Sequence, residues 1–249
     1  MTQLTQLNPE QHKNLNVAPD SIAILAKQMQ IVHVNAEEVS KAATELPVFF
    51  TRSEQTGGWG MSVLTCLVNE YNGSVQDGRW LAGYTPTYLT TYPVFPIRIE
   101  GSEEHGFGIN TDDPTLSESE GNALYNEDGS ETAYLQNVKR QIESDIKGSM
   151  QTHQMTQVLR QLELFKAVTL TLHFNDGSKQ NLQGLHTIDE DKLKSLDAAT
   201  LKQLSDKGYL MVIHACLMSL FKINLLVRSH NQVAPEQTID KVNIALPAQ

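Results

Sequence analysis

Short apolar runs with alternating or β-branched character dominate the first half of the chain and predict strands. These runs occupy residues 31–34, 46–51, 61–68, 94–100 and 105–110. Turn-forming residues separate most of them, as expected for a strand-rich N-terminal half.

Helical segments are predicted between these strands. Residues 35–45 favour a helix with Asn35 as its N-cap. Thr85 and Pro86 suit the cap and the first position of a short helix, because proline needs no hydrogen-bond partner there. The capping-box spacing over residues 117–120 is followed at once by glycine, which predicts only a single helical turn.

The second half changes to a helical period. A long helix is predicted to begin after Ser130, and Gly148 is where it would kink or divide. Its apolar positions recur at roughly helical spacing and are Leu135, Val138, Ile142, Ile146, Val158, Leu162 and Phe165.

A β-hairpin at about 168–188 is the clearest local prediction. Residues 168–174 alternate strictly, Asn175-Asp176-Gly177 forms a turn, and the return strand ends near Ile188. The predicted fold class is therefore α+β, with a strand-rich N-terminal half and a helical C-terminal half that contains this hairpin.

The chain after the hairpin is predicted to be helical. Asp189 and Asp197 are predicted N-caps, and Gly208 suits the residue after a helix end. The apolar stretch 209–227 has nearly the length of a membrane span. It contains Lys222, whose burial in a bilayer would cost about 2.5 kcal/mol or more, so a buried helix is favoured over stable membrane insertion.

The chain is predicted to form one main domain over 12–230, with a candidate sub-boundary near 111–130. Residues 1–11 are predicted to be an N-terminal tail. Residues 231–249 are polar and contain proline, which predicts a poorly ordered C-terminal tail.

Composition bounds the class of protein. The 249 residues are 40% hydrophobic, enough for a core without covalent staples. Cys66 and Cys216 are isolated from each other, which argues against a disulfide scaffold, and the N-terminus lacks the pattern of a secretory signal. A cytoplasmic location is expected.

Charge is concentrated in one acidic segment. The net charge of the chain is −10. The acids within residues 100–131 have no basic residue among them, because no Lys or Arg lies between Ile99 and Val138. Nucleic acid is therefore not an expected partner, because nonspecific affinity for it needs clustered basic residues. The same segment would be repelled by an anionic bilayer.

No motif in the sequence predicts a catalytic residue, a metal ion or a cofactor. Residues 57–60 lack the Lys-Ser/Thr that completes a phosphate-binding loop. Residues 126–129 resemble part of a calcium loop, but Leu124 and Leu135 would occupy ligand positions that require oxygen. The histidine spacings do not match an iron site, and both cysteines lie in apolar runs, where thiols are usually inert.

The acidic segment and a nearby aromatic set are the candidate interaction surface for a protein partner. Two other interpretations stay open. One is that the acids form a solvated face, and the other is that the tyrosines, which recur every four residues, belong to a helix in the core. The candidate residues are Asp112, Asp113, Glu118, Glu120, Trp80, Tyr84, Tyr88 and Tyr92.

Blocks spread over about residues 12–230 resemble the SapC family. They rest on order and spacing rather than on a catalytic signature. The resembling blocks are 12–17, 31–38, 46–50, 77–80, 88–93, 116–121, 124–129, 184–190 and the Leu-rich segment 208–226.

The resemblance implies an association with surface-layer biogenesis and with genes near flavoprotein halogenases and cupin-type oxygenases. Family members tend to carry two arginines where this chain has Thr90 and Thr91, so an anion-binding role of that pair is not carried over. The preferred hypothesis is a non-enzymatic binding or accessory protein of a surface-layer or peptide-modification pathway. The alternative is an oxygenase-related or ligand-modifying enzyme whose site forms only in three dimensions; the partner, substrate and oligomeric state stay open.

Overall fold

The computed structural model describes residues 4–54, 56–99, 101 and 105–245. It confirms the predicted α+β class, with strands prevailing before residue 133 and helices after it. The strands are β1 (Thr5–Gln6), β2 (Asn16–Val17), β3 (Ile31–Val34), β4 (Val48–Arg52), β5 (Trp59–Leu64), β6 (Val75–Gln76), β7 (Arg79–Trp80), β8 (Val94–Arg98), β9 (His105–Ile109), β10 (Leu116–Ser117), β11 (Asn122–Ala123), β12 (Phe165–Phe174), β13 (Lys179–Ile188) and β14 (Ile239–Ala245).

The helices range from single turns to one of 29 residues. A 3₁₀ turn, Leu220–Lys222, joins the last two. The helices are α1 (Pro9–His12), α2 (Ser21–Lys27), α3 (Val39–Ala42), α4 (Thr87–Thr91), α5 (Ala133–Gln161), α6 (Glu190–Ser195), α7 (Ala198–Asp206), α8 (Tyr209–Ser219) and α9 (Ile223–Val233).

A six-stranded antiparallel sheet in the order β14-β12-β13-β4-β5-β3 is the centre of the fold. The predicted hairpin is confirmed as β12 and β13, and it places His173 opposite Lys179. It begins three residues earlier than predicted, because Phe165 is the first residue of β12 and not the last apolar position of the preceding helix.

The predicted long helix is confirmed as α5. The Thr132 hydroxyl accepts a hydrogen bond from the Leu135 N–H at 3.2 Å and caps it. Gly148 does not divide this helix. A Cβ at Gly148 would lie 2.8 Å from a Glu37 carboxylate oxygen, so glycine allows the helix to approach the β3–α3 connection closely.

The prediction of a helix over 35–45 capped by Asn35 is wrong. Only α3 is helical there, because Asn35 directs its amide to Asp145 of α5 instead of capping its own segment. The backbone N–H of Glu38 bonds the Asn35 carbonyl three residues back, which forms a turn and not an α-helix.

Two smaller predictions are also corrected. Pro86, not Thr85, is the N-cap of α4, and the Glu38 carboxylate accepts the first free N–H, that of Thr87, at 2.9 Å. Residues 117–120 form no helical turn, because Ser117 pairs with Asn16 in the small sheet β10-β2-β11.

Parts of both predicted tails belong to the fold. In the segment 231–249, β14 pairs along β12 at the edge of the main sheet. In the segment 1–11, β1 pairs with β9. A composition that is polar overall does not prevent a strand from forming when a neighbouring edge offers backbone partners.

The apolar stretch 209–227 lies in the helical segment Tyr209–Val233 and is only partly buried. This segment is the one helix in the described part of the chain that is long and apolar enough to cross a membrane, a property that core helices share. Just 33% of its most apolar window is buried. The prediction of a buried helix therefore holds for one side only.

Candidate functional site

A cleft of about 540 Å³ opens between the β4–β5 hairpin and the middle of α5. Its volume is in the range of small-molecule sites. We call it the His33–His153 cleft, and it is lined by His33, Thr51, Arg52, Ser53, Thr56, Gly58, Trp59, Gly60, Ser149, Thr152 and His153.

The hairpin brings a cation and an aromatic ring to one wall of this cleft. Arg52 and Trp59 lie directly opposite each other across β4 and β5. The Arg52 Nε donates to the Gly57 carbonyl at 3.1 Å, which steadies the side chain against the turn. No carboxylate of the described chain forms an ion pair with Arg52.

The indole of Trp59 is held by two other rings. Phe165 stacks on it with centroids 4.3 Å apart, and His186 meets it edge-on at 4.6 Å. Desolvation lowers the pKa of His186, so this imidazole is neutral near neutral pH. Its buried Nδ1 has no hydrogen-bond partner among the described residues.

Helix α5 supplies the opposite wall. The Thr152 hydroxyl accepts from the Ala36 N–H at 2.8 Å and so fixes the helix against the β3–α3 connection. The next residue, His153, is exposed. A second cavity of about 520 Å³ shares Ser149 and His153 with the cleft and also reaches Asp145.

Asp145 is half-buried beside the cleft. Desolvation, followed by repulsion from Glu38, raises its pKa, while the charge of His33 acts in the opposite direction. The Asn35 amide donates to the Asp145 carboxylate at 2.6 Å, so this carboxylate also has a structural role.

Glu38 is buried and all its hydrogen bonds are internal. One carboxylate oxygen accepts from the Asn35 N–H at 2.8 Å, and the other accepts from the Tyr84 hydroxyl and from the N–H and hydroxyl of Thr87. These bonds tie α4 to the β3–α3 connection, so Glu38 stabilises the fold and is not available to a ligand.

Among the predicted site residues, Trp80 and Tyr84 are brought together. The Trp80 indole N–H donates to the Tyr84 carbonyl at 3.0 Å. Desolvation and the bond to Glu38 raise the pKa of the Tyr84 hydroxyl. Trp80 lines a different cavity of about 600 Å³, together with Asp20, Asp77 and Arg79.

Tyr92 and Asp113 form a second pair. The Tyr92 hydroxyl donates to the buried Asp113 carboxylate, whose other oxygen accepts from the N–H and hydroxyl of Thr115. Desolvation, and then this bond, raise the pKa of Tyr92. No hydrogen bond in the described part of the chain links this pair to Trp80 or Tyr84.

The remaining predicted residues are at the surface. Asp112, Glu118 and Glu120 are exposed, and so is Tyr88. Only Tyr88 of the three tyrosines lies in α4, so the interpretation of a tyrosine helix face is wrong.

Two lysines from outside the acidic segment contact it, one from the N-terminal part of the chain and one from α5. Lys13 donates to the Glu127 carbonyl, and Lys139 forms an ion pair with Glu131. Glu100, Glu103 and Glu104 lie outside the described residues. The gap in basic residues along the sequence is therefore partly filled by the fold.

No sequence pattern marked His33, Arg52 or His153 as a site residue. Each lies alone in its own segment, with no spacing that relates it to the others. Only the glycine-rich break at 57–60 marked the hairpin end, and it predicted a turn and not a site.

Both cysteine side chains are buried. Desolvation raises the pKa of Cys66 to about 11 and also raises the pKa of the fully buried Cys216. No group of three or more His, Cys, Asp or Glu side chains in the described residues could hold a metal ion.

The chain is thus an α+β protein with a ligand-sized cleft at the end of a six-stranded antiparallel sheet. The chain belongs to the SapC family, whose model matches residues 7–226. No curated protein and no solved structure matches the chain.

Proposed function

We propose that this chain is a non-enzymatic binding protein that serves as an accessory component of a bacterial surface-layer or peptide-modification pathway. Its His33–His153 cleft holds a small ligand with an anionic group and a flat apolar part. Membership of the SapC family supports the pathway through the association described above.

The observation that carries this proposal is the pairing of a cation without an ion-pair partner in the described chain and a fixed aromatic ring in the lining of the cleft. Arg52 has no acidic partner in the described chain and offers a planar set of donors for a carboxylate or phosphate. The Trp59 ring is held by Phe165 and His186, so it presents a fixed apolar surface. Glu54 lies in the same hairpin loop, but its side chain is exposed and forms no ion pair with Arg52.

The two tryptophans of the chain allow a direct test. In a Trp80→Phe variant, Trp59 is the sole tryptophan, and its fluorescence reports on the cleft. We expect saturable changes with benzoate or phenyl phosphate and none with neutral benzamide. Adding Arg52→Gln should weaken binding about tenfold or more, because a charge-assisted bond is lost.

Arg98→Gln is the matched control, because Arg98 is an exposed arginine outside the lining of the cleft. It should leave the affinity unchanged. If none of the probes gives a saturable response, or if Arg52→Gln binds as well as the parent, the cleft is not an anion site.

One observation favours an enzyme as the second candidate. His33, His153 and the half-buried Asp145, whose pKa is raised, surround two adjoining cavities, which is how acid–base groups are arranged in many active sites. A bound probe that is recovered chemically altered, with the change lost in His33→Gln or His153→Gln, would favour this alternative. Recovery of unaltered probe supports the binding function.

We also propose that a protein partner contacts the exposed acids Asp112, Glu118 and Glu120. The structure sharpens the test, because Asp113 is buried and must be left intact. The wild-type chain should capture a protein partner, and the triple variant Asp112→Asn, Glu118→Gln, Glu120→Gln should fail to capture it. Equal capture by both proteins would remove this surface from the proposal.

A further inference from the structure

The helical segment 209–233 carries an exposed apolar stripe. Met211, Met218, Phe221 and Leu225 are 64%, 70%, 77% and 42% exposed. Met211 and Met218 lie seven residues apart on α8, and Phe221 in the 3₁₀ turn and Leu225 on α9 follow at spacings of three and four residues, as on one face of a helix. A row of large apolar side chains with this degree of exposure is uncommon on the surface of a soluble protein.

The stripe continues across a groove onto the edge of the main sheet. This groove of about 380 Å³ separates the helical segment from β14, and Leu217, Leu220, Phe221 and Val242 line it. Ile244 of β14 is 46% exposed at the same groove. Since β14 is an edge strand, no further strand of the described chain covers this side.

The charged side chains carried by the helical segment 209–233 itself are basic. Lys222 and Arg228 lie on the segment, Lys207 lies two residues before it, and no acid occurs between Asp206 and Glu236, although the whole chain carries a net charge of −10. Lys207 is exposed, and its ammonium lies 5.8 Å from the centre of the Tyr209 ring. The acid at the groove, Glu190, is 3.9 Å from Lys194.

This charge pattern favours one occupant over a second copy of the chain. A copy that presented the same stripe would bring lysines and arginine against their own kind, which is repulsive. An anionic lipid surface complements them, because apolar side chains enter the boundary below the headgroups while long basic side chains reach the phosphates.

The inner side of the segment rules against a membrane span for the folded chain. Ile213, Cys216 and Ile223 are buried in the core of the main sheet, and the Ser219 hydroxyl accepts from the Val48 N–H at 2.9 Å.

The acidic segment does not share this core, since its buried residues Leu124 and Tyr125 belong to a separate cluster. Repulsion of that segment by lipid thus depends on which face approaches.

We propose that the stripe on α8 and α9 is a docking surface for an anionic lipid bilayer, with both helices lying along the plane of the membrane. Docking is peripheral, and the inner side of both helices stays packed on the sheet. This inference stands apart from the proposed ligand cleft.

Vesicle co-sedimentation tests the proposal. The full chain should bind vesicles of mixed phosphatidylcholine and phosphatidylglycerol, and bind pure phosphatidylcholine far less. The double variant Met218→Ser, Phe221→Ser should lose about tenfold or more in affinity, because two inserted apolar groups are removed. The double variant Lys222→Gln, Arg228→Gln should weaken binding and reduce its dependence on salt.

Leu81→Ser is the matched control, because Leu81 is 53% exposed outside this surface and should not contribute. Circular dichroism confirms that each variant is folded, and Arg52→Gln should sediment like the wild type, which separates this result from the cleft. Absence of vesicle binding, or equal loss in the control, overturns the proposal. Concentration-dependent dimers that disappear in Met218→Ser, Phe221→Ser, without vesicle binding, would assign the stripe to self-association instead.

Discussion

At the scale of single residues, buried polar groups join the β3–α3 connection to two helices. Asn35 donates to Asp145 of α5, and Glu38 accepts from Thr87 of α4. The Thr152 hydroxyl accepts from the backbone of the same connection. These bonds are worth more than exposed ones, because an unpaired buried donor or acceptor costs about 1–3 kcal/mol. They explain why polar residues in the segment 35–45 do not produce the predicted helix.

Asp145 leads to a prediction about pH. Its pKa is raised above the ordinary 3.8, mainly by desolvation, so the ionised carboxylate destabilises the folded chain at higher pH. This cost disappears as the pH falls through the raised pKa to below 3.8. Asp145→Asn removes the charge and keeps an oxygen that accepts from Asn35.

Urea unfolding should therefore find Asp145→Asn more stable than the wild type near pH 7, with the difference shrinking as the pH is lowered to about 4. Asp112→Asn, at an exposed position, is the control and should show little effect at either pH. A difference for Asp145→Asn that is independent of pH would contradict this interpretation.

At the scale of elements, the small sheet β10-β2-β11 depends on a close backbone approach. Gly121 has a φ of 113°, and a Cβ there would lie 2.2 Å from the Val17 carbonyl oxygen. Backbone atoms cannot give way as a flexible side chain can. The turn between β10 and β11 is therefore closed to any larger residue.

Gly121→Ala should lower the free energy of unfolding by about 2–5 kcal/mol, the sum of a positive φ and a steric clash. Gly177→Ala is the matched variant, because Gly177 has a φ of 83° and nothing within 4 Å of its Cβ position. It should lose only about 1–2 kcal/mol, from the backbone alone. Urea denaturation compares the two, and equal losses would show that contact with Val17 contributes nothing.

At the scale of the whole molecule, two hydrophobic cores share one helix. The N-terminal part of α5 places Leu135, Val138 and Ile142 in the smaller core, and the C-terminal part places Met155 and Leu159 in the larger core of the main sheet. A smaller core buries less apolar surface and stabilises its elements less.

Native-state hydrogen exchange should show this difference. We expect the amides of β8 and β9, which pack on the smaller core, to exchange through a partial opening at lower free energy than those of β12 and β13. Leu135→Ala should lower the free energy of that opening by about 2–5 kcal/mol and thereby accelerate exchange in β8 and β9. Identical opening free energies for both pairs of strands would indicate a single cooperative unit.

The sequence by itself determined the elements whose signals are local. Strict alternation and the Asp176-Gly177 turn sufficed for the β12–β13 hairpin, and helical period with a polar cap sufficed for α5. The N-caps Asp189 and Asp197 could likewise be predicted from the sequence, since each carboxylate accepts hydrogen bonds from backbone N–H groups of its own first helical turn.

Only the tertiary structure decided what depends on residues far apart in the chain. It paired β14 with β12, brought Lys13 to the acidic segment, and buried one side of the segment 209–233. It also assembled the cleft from His33, Arg52 and His153. The physical reason is that sequence periodicity reports how a segment folds on itself, whereas strand order and clefts follow from which distant surfaces pack together.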